Sequence, residues 1–223
     1  MTMDYTGNII PSTIGEEQQQ LLDAGKILPL MEEFYTIQGE GFHTGKPAYF
    51  IRLGGCDVGC HWCDVKESWD ANIHPLTKTD DIVKNAMQFP AKAVVVTGGE
   101  PSAFNLDYLT KELKKHGILT FIETSGAYTL TGEWDWVCLS PKKTSPPKPE
   151  NFKRAHELKV IVYNKDDFRW AEENAAKLGK NVLRFLQPEW SRAKEMTPLI
   201  VDYVMKHPEW NISLQTHKFM NIP

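Results

Sequence analysis

Cysteine is scarce in this chain and unevenly placed: there are four in 223 residues, and three of them fall between positions 56 and 63. So sparse and so clustered a set does not make the disulfide framework of a secreted domain. No apolar run approaches the ~20 residues that a membrane-spanning helix needs, so no membrane partner is expected. Residues Met1 to Pro11 lack the basic and apolar regions of a secretory signal, and a reducing, cytoplasmic compartment is the expected location. Basic charge is in deficit: 25 Lys and Arg stand against 29 Asp and Glu, a net charge of -4. That gives no general electrostatic attraction for nucleic acid. Internal repeats and low-complexity tracts are absent too. What is there, 41% hydrophobic and 24% charged residues, suffices for one α/β domain with a sizeable core.

Residues 1–27 read as an N-terminal extension, with one short helix or a loosely docked tail over 14–26, where Leu21 and Leu22 are the only sizeable apolar side chains. A single domain follows over 28–223. Strands are predicted at 28–37 and 48–53, separated by the glycine-rich loop 38–47. Residues 65–78 read as irregular. Thr79 is the expected N-cap of a helix to about Gln88, with Asp80 and Asp81 in its first turn. The β-branched run 91–97 is a buried strand. A helix over 106–116 places Leu106, Leu109 and Leu113 on one face and stops at Gly117. Further strands are expected at 118–123, 136–139, 158–162, 182–186 and 211–215, and helices at 166–178 and 197–206. Pro146, Pro147 and Pro149 forbid regular structure around them. Strands alternating with crossovers imply a parallel sheet. Clear helices are missing over 126–134 and 144–153, so the expected architecture is α/β, a partial, open parallel-stranded (β/α) barrel with fewer helices than strands. Polar and glycine-rich residues collect just past strand C-termini, the edge where such folds bind ligands.

The densest chemistry lies in Gly54 to Asp64, where Cys56, Cys60 and Cys63 are spaced C-x3-C-x2-C. Three thiolates on one tight loop can hold three corners of a cubane cluster and leave the fourth iron open. A zinc site is the alternative and needs a fourth ligand, for which His61 is nearest. The remaining cysteine, Cys138, sits in an apolar strand and reads as core packing.

The C-x3-C-x2-C loop, followed by Gly98-Gly99-Glu100-Pro101 after a strand, resembles the radical S-adenosylmethionine superfamily. Within it the ordered set Phe34 to Gly41, Phe50 to Leu53, Cys63-Asp64, Thr97 to Pro101, Glu123 to Gly126, Ser140 to Lys142, Gln215 to Lys218 and Asn221 to Pro223 is similar to the 7-carboxy-7-deazaguanine synthase family. That likeness runs from about Leu28 to the C-terminus. It implies a barrel of the radical S-adenosylmethionine type and a [4Fe–4S] cluster on Cys56, Cys60 and Cys63. The open iron chelates S-adenosylmethionine, and an electron from the cluster yields a 5′-deoxyadenosyl radical. That radical takes the hydrogen from C6 of 6-carboxy-5,6,7,8-tetrahydropterin. The pterin contracts, ammonia leaves, and 7-carboxy-7-deazaguanine, a precursor of queuosine in transfer RNA, results. S-adenosylmethionine is regenerated and Mg²⁺ assists.

By position the resemblance assigns S-adenosylmethionine contacts to Trp62, Cys63, Asp64, Gly99, Glu123, Ser140, Pro141, Lys142 and Gln187. Glu123 suits a ribose diol as an acceptor of two hydroxyls, Gly98 and Gly99 allow a close backbone approach, and Glu100 lends charge beside the methionine amino group. Substrate contacts fall on Ile37, Gln38, Gly39, Arg52, Thr97, His217 and Pro223. Arg52 can grip a carboxylate in a bidentate fork, or serve as a structural salt bridge between Ile51 and Leu53. The implied partners are the small-molecule pterin, a low-potential electron donor such as flavodoxin or ferredoxin, and a second copy in a homodimer. One departure stands out. Two residues past the last cysteine, the family's magnesium-binding hydroxyl is replaced by Val65, which has no donor for a hard cation. Weaker or altered magnesium dependence is therefore expected. Two other readings stay open at this level: an activase that generates a glycyl radical on a partner enzyme, and a zinc-binding or electron-transfer module.

Overall fold

The computed structural model describes residues 9–223. Of the 1–11 segment read for a secretory signal, residues 1–8 lie outside the described residues. Among the described residues nine strands form one sheet: β1 (Ile27–Ile37), β2 (Pro47–Leu53), β3 (Leu76–Lys78), β4 (Ala93–Gly98), β5 (Leu119–Thr124), β6 (Trp136–Leu139), β7 (Glu157–Val162), β8 (Leu183–Pro188) and β9 (Trp210–Ile212). Their order is β3-β1-β2-β4-β5-β6-β7-β8-β9. From β2 to β9 every neighbour is parallel, while β1 runs antiparallel to β2 and β3. The sheet has two free edges and is open, as expected. It is nonetheless strongly curved. The backbone N–H of Gly41, in the β1–β2 loop, donates to Ser213 Oγ just past β9, although five strands lie between β2 and β9 in the sheet.

The helices are α1 (Glu16–Asp23), α2 (Thr79–Ala86), α3 (Asp107–Lys115), α4 (Pro149–Phe152), α5 (Asp166–Ala175), α6 (Ala193–Lys206) and α7 (Thr216–Met220). α2, α3, α5 and α6 cover the convex face, and α7 lies at the cavity on the other side. The period-2 alternation of each strand sorts its residues. On β7, Leu158, Val160 and Val162 are fully buried and pack with Ala171 of α5 and Ile200 of α6. On β2 and β4, Ile51, Leu53, Val94 and Val96 do the same against Ile82 of α2 and Leu109 and Leu113 of α3. The opposite parity faces the concave side: Phe50, Arg52, Thr97, Glu123, Lys159, Ile161 and Gln187 all line its cavity.

The structure differs from the sequence reading at several element ends. Thr79 is the first helical residue of α2 and not its cap; Lys78 is the N-cap, and the Thr79 hydroxyl donates to Gly25 O instead. That bond, with Asn105 Nδ2 donating to Asp23 O and Leu22 buried in the main core, seats α1 on the body. Pro149 opens α4 at its N1 position, where a missing N–H costs nothing. Pro198 lies inside α6, which begins four residues before the predicted Thr197. The 65–78 segment carries two short 3-10 turns and β3, and the predicted 211–215 strand ends at Ile212, its last residues forming a loop that leads into α7. No helix among the described residues is long and apolar enough to cross a membrane.

Candidate active site

The β1–β2 loop, residues 38–46, folds across the concave face and builds the floor of a cavity. Phe42 stacks on Trp136 of β6 at 4.8 Å and His43 on Phe121 of β5 at 4.4 Å. Further on, Phe42 N donates to Glu157 of β7. The loop thus fills the lower half of the barrel with aromatic rings and leaves a cavity of about 270 Å³ above it, at the C-terminal ends of the parallel strands.

The cysteine loop forms one wall. It leaves β2 at Leu53 and is knit to its surroundings through the backbone: Gly55 N donates to Ser68 O at 2.7 Å, Cys56 N to Trp69 O at 3.0 Å, and Glu100 N to Gly55 O at 2.9 Å. Gly99 is needed here because a Cβ would press on Gly55 O and Ser68 O. Gly98, at φ 125°, has Leu53 against it in the same way. The glycine pair therefore admits the cysteine loop, a closer neighbour than the ligand that sequence reasoning had in view. Glu100, expected to lend charge to a ligand, is turned inward. Its carboxylate accepts from Ser102 N at 2.9 Å, Ser102 Oγ at 2.7 Å, Ser125 N at 2.8 Å, and the hydroxyls of Thr124 and Ser125. It staples the ends of β4 and β5 behind the cavity.

Cys56, Cys60 and Cys63 all line the cavity and none is in a disulfide. Burial pushes the Cys56 thiol up to about 12 and raises Cys60 as well. Each thiol's charge opposes ionisation of its neighbours, while Lys142 favours that of Cys60. Three thiols on one cavity wall are the donor set that a soft metal centre takes. Among the described residues, the donors that converge within 4.8 Å as a single ion requires are Glu172, His207 and Glu209, on the outer surface at α5 and past α6. Among the described residues the cysteine trio is not one of the sets that converge so closely. Cys138 stands apart, buried on β6 and beside Glu157.

Trp62, Asp64, Gly99, Glu123, Ser140, Lys142 and Gln187 line the same cavity; Pro141 is buried behind it. Lys142 Nζ donates to both oxygens of Ser140, at 2.6 and 2.7 Å, and lies 5.6 Å from the Trp62 ring. Its burial lowers its pKa. The residues read for substrate, Ile37, Gln38, Gly39, Arg52, Thr97, His217 and Pro223, line the cavity too. Arg52 lies opposite Glu32 in the β1–β2 register, and its Nε donates to Glu32 Oε1 at 2.7 Å. Among the described residues no hydrogen bond engages the terminal fork of the guanidinium, and Arg52 lines the cavity. Gly39 must be glycine because His217 rests on it, and the Thr216 N–H donates to its carbonyl at 2.9 Å. Burial lowers the His217 pKa, which keeps the imidazole neutral at neutral pH. Val65 lines the cavity beside the cysteines. The nearby carboxylates are engaged: Asp64 by Lys218 at 2.8 Å and Asp57 by the Tyr128 hydroxyl.

Sequence reasoning missed two side chains that complete the site. Lys159, only 3% exposed, pairs with Glu123 at 2.8 Å and with Glu40. Burial works against the Glu40 carboxylate, but the Lys159 ammonium and bonds from Gln215 and Gln187 outweigh it and hold Glu40 at about 2. The signal was available: a lysine in the middle of the apolar run Leu158-Lys159-Val160-Ile161-Val162 is affordable only beside a counter-charge.

Comparison with known proteins agrees with this geometry. The Radical SAM superfamily profile matches residues 50–164. The 7-carboxy-7-deazaguanine synthase of Flavobacterium psychrophilum is 64% identical over 208 residues, 93% of this chain and 99% of that one. That of a Synechocystis species is 44% identical over 194 residues, 87% and 93% of the two chains. The crystal structure of QueE from Escherichia coli matches with a TM-score of 0.77 at 30% identity, covering 90% of this chain and 99% of that one. An open parallel barrel with a three-cysteine loop at its C-terminal edge is what the radical S-adenosylmethionine superfamily shares, and the chain belongs to it. Within that superfamily it is a member of the 7-carboxy-7-deazaguanine synthase family. Membership implies a [4Fe–4S] cluster and S-adenosylmethionine, and the cysteine trio, the cavity and Lys142 fit both.

Proposed function

We propose that the chain converts 6-carboxy-5,6,7,8-tetrahydropterin to 7-carboxy-7-deazaguanine with loss of ammonia. The observation that carries this reading is that the cysteine loop, Glu123 and Arg52 open into one cavity. Cys56, Cys60 and Cys63 would hold the cluster. When bound, cluster and S-adenosylmethionine supply a low-potential electron and a hydrogen-abstracting radical.

The chain's own residues do the rest. Glu123 accepts the ribose hydroxyls, and Gly99, Ser140 and Lys142 frame the methionine and adenine. Trp62, Asp64 and Gln187 complete that half, with Pro141 fixing the Ser140–Lys142 turn from behind. Arg52 takes the pterin carboxylate end-on. Ile37, Gln38, Gly39 and Thr97 supply the face and edge contacts to the ring, and His217 and Pro223 close over it and exclude water. A neutral His217 can donate one hydrogen bond and accept another.

Magnesium does not fit as it does in the family pattern. Val65 offers no oxygen, and the carboxylates of Asp64 and Asp57 already have partners. We assign the enzyme a weak magnesium dependence. A flavodoxin- or ferredoxin-type donor, a homodimer, a cytoplasmic location and the split into an extension (1–27) and a catalytic domain (28–223) belong to the same reading. The test is anaerobic reconstitution with iron and sulfide, then incubation with the pterin, S-adenosylmethionine and a reductant. The expected result is 7-carboxy-7-deazaguanine by mass. Recovery of unchanged pterin from a protein that binds S-adenosylmethionine would overturn the substrate assignment.

A further inference from the structure

The buried ammonium of Lys159 has no role in the function proposed above. It lies at the centre of the concave face, and two carboxylates from different parts of the chain converge on it. Glu123 comes from β5. Glu40 comes from the loop that carries Gln38 and Gly39. β6 lies between β5 and β7 and presents the small Cys138 opposite Glu123 and Glu157, which leaves a gap for the lysine to cross. One ammonium facing two carboxylates leaves the trio with net negative charge, so charge neutralisation alone does not explain the arrangement. Without Lys159 the two carboxylates would face each other unscreened in a buried site.

Both oxygens of Glu123 are held. Oε1 accepts from Gln38 Nε2 at 2.9 Å and Oε2 from Lys159 Nζ at 2.8 Å. A carboxylate with one donor on each oxygen still has acceptor capacity on each, and Glu123 turns that capacity to the cavity it lines. Glu40 is fixed by the same ammonium and by Gln215 Nε2 at 2.9 Å, and its own N–H donates to Gln38 Oε1 at 3.0 Å. Gln38, Glu123, Lys159 and Glu40 therefore form a closed ring that joins the two halves of the site.

We infer that Lys159 is a positioning residue that aims Glu123 at the S-adenosylmethionine ribose and, through Glu40, ties that orientation to the loop bearing Gln38 and Gly39. This rests on the reading of Glu123 as the diol acceptor. The test uses anaerobically reconstituted holoprotein and measures the dissociation constant of S-adenosylmethionine without pterin. The double variant Lys159→Met with Glu40→Gln removes the ammonium and one carboxylate together, so the net charge of the site is unchanged and the fold is spared a buried repulsion. It is expected to load iron normally, to melt near the wild-type temperature, and to bind S-adenosylmethionine roughly tenfold more weakly through loss of a charge-assisted bond. Wild-type affinity in this variant would overturn the inference. Glu40→Gln alone, isosteric and with Lys159 still on Glu123, is expected to keep S-adenosylmethionine affinity and to raise the KM for the pterin. Equal losses of both would contradict the assignment even if the double variant does not fold. Because binding is read without the pterin, a failed pterin conversion leaves this inference standing.

Discussion

At the scale of single residues, Glu100 and Val65 carry the sharpest consequences. Glu100 is 1% exposed and uses both oxygens on five donors from the ends of β4 and β5. In Glu100→Gln one oxygen becomes an NH₂ group and meets donors where acceptors are needed. Leaving buried donors unpaired costs about 1–3 kcal/mol each, so urea denaturation should show a loss of roughly 2–3 kcal/mol, and the cysteine loop should load less iron. A change of under about 0.5 kcal/mol, typical of a surface position, would mean the staple has no structural weight. Val65 makes the opposite kind of case, a side chain whose consequence is an absence of donors. Wild-type turnover is expected to survive chelation largely intact. Val65→Thr, which restores a hydroxyl beside Asp64, should make it more responsive to added Mg²⁺. Complete loss on chelation, reversed only by Mg²⁺, would contradict this.

At the scale of elements, the C-terminal segment and the β1–β2 loop act as one lid. Thr216 and His217 rest on Gly39, Lys218 reaches Asp64 on the cysteine loop, and the Thr36 hydroxyl donates to Pro223 O. Gly39→Ala would drive a methyl into the His217 ring and lift this lid. The expected outcome is a raised KM for the pterin with iron content and S-adenosylmethionine affinity retained; a parallel loss of both affinities would show that the lid serves the whole cavity. Much of this level was legible beforehand. The periodic Leu106, Leu109 and Leu113 gave α3, the β-branched run gave β4 to within two residues, and the short apolar stretch 136–139 gave β6, because one-sided or complete burial leaves its mark on local pattern. What was not legible was set by distant partners. Thr79 loses its capping role because Gly25 O lies within its reach, α7 forms because Gly39 receives it, and β3 is a strand only because β1 runs beside it. The cysteine loop was plain from spacing. Lys159 and Glu40 escaped because their meaning depends on each other across 119 positions of sequence.

At the scale of the molecule, the curved sheet gathers charged groups from β2, β5 and β7 and from the loops past the strand ends into an interior that must stay both folded and polar. That has a pH signature. Glu40 has an ordinary value of 4.5 and is held at about 2 in the folded chain. A depressed folded value means that the ionised form favours folding. Its contribution is therefore complete above pH 4.5 and is lost as the pH falls toward about 2. Denaturation of the metal-free protein should show stability falling steeply below pH 4.5, with a shallower slope in Glu40→Gln. An unchanged slope in the variant would place the acid sensitivity elsewhere.

In the proposed reaction a hydrogen leaves C6 of the pterin, and S-adenosylmethionine is regenerated with it. Pterin deuterated at C6 tests this directly. After anaerobic turnover, deuterium should be found in recovered S-adenosylmethionine, with 7-carboxy-7-deazaguanine as the product. Product formation with no deuterium in S-adenosylmethionine would contradict the proposed path, and deuterium exchange without ring contraction would contradict the proposed product.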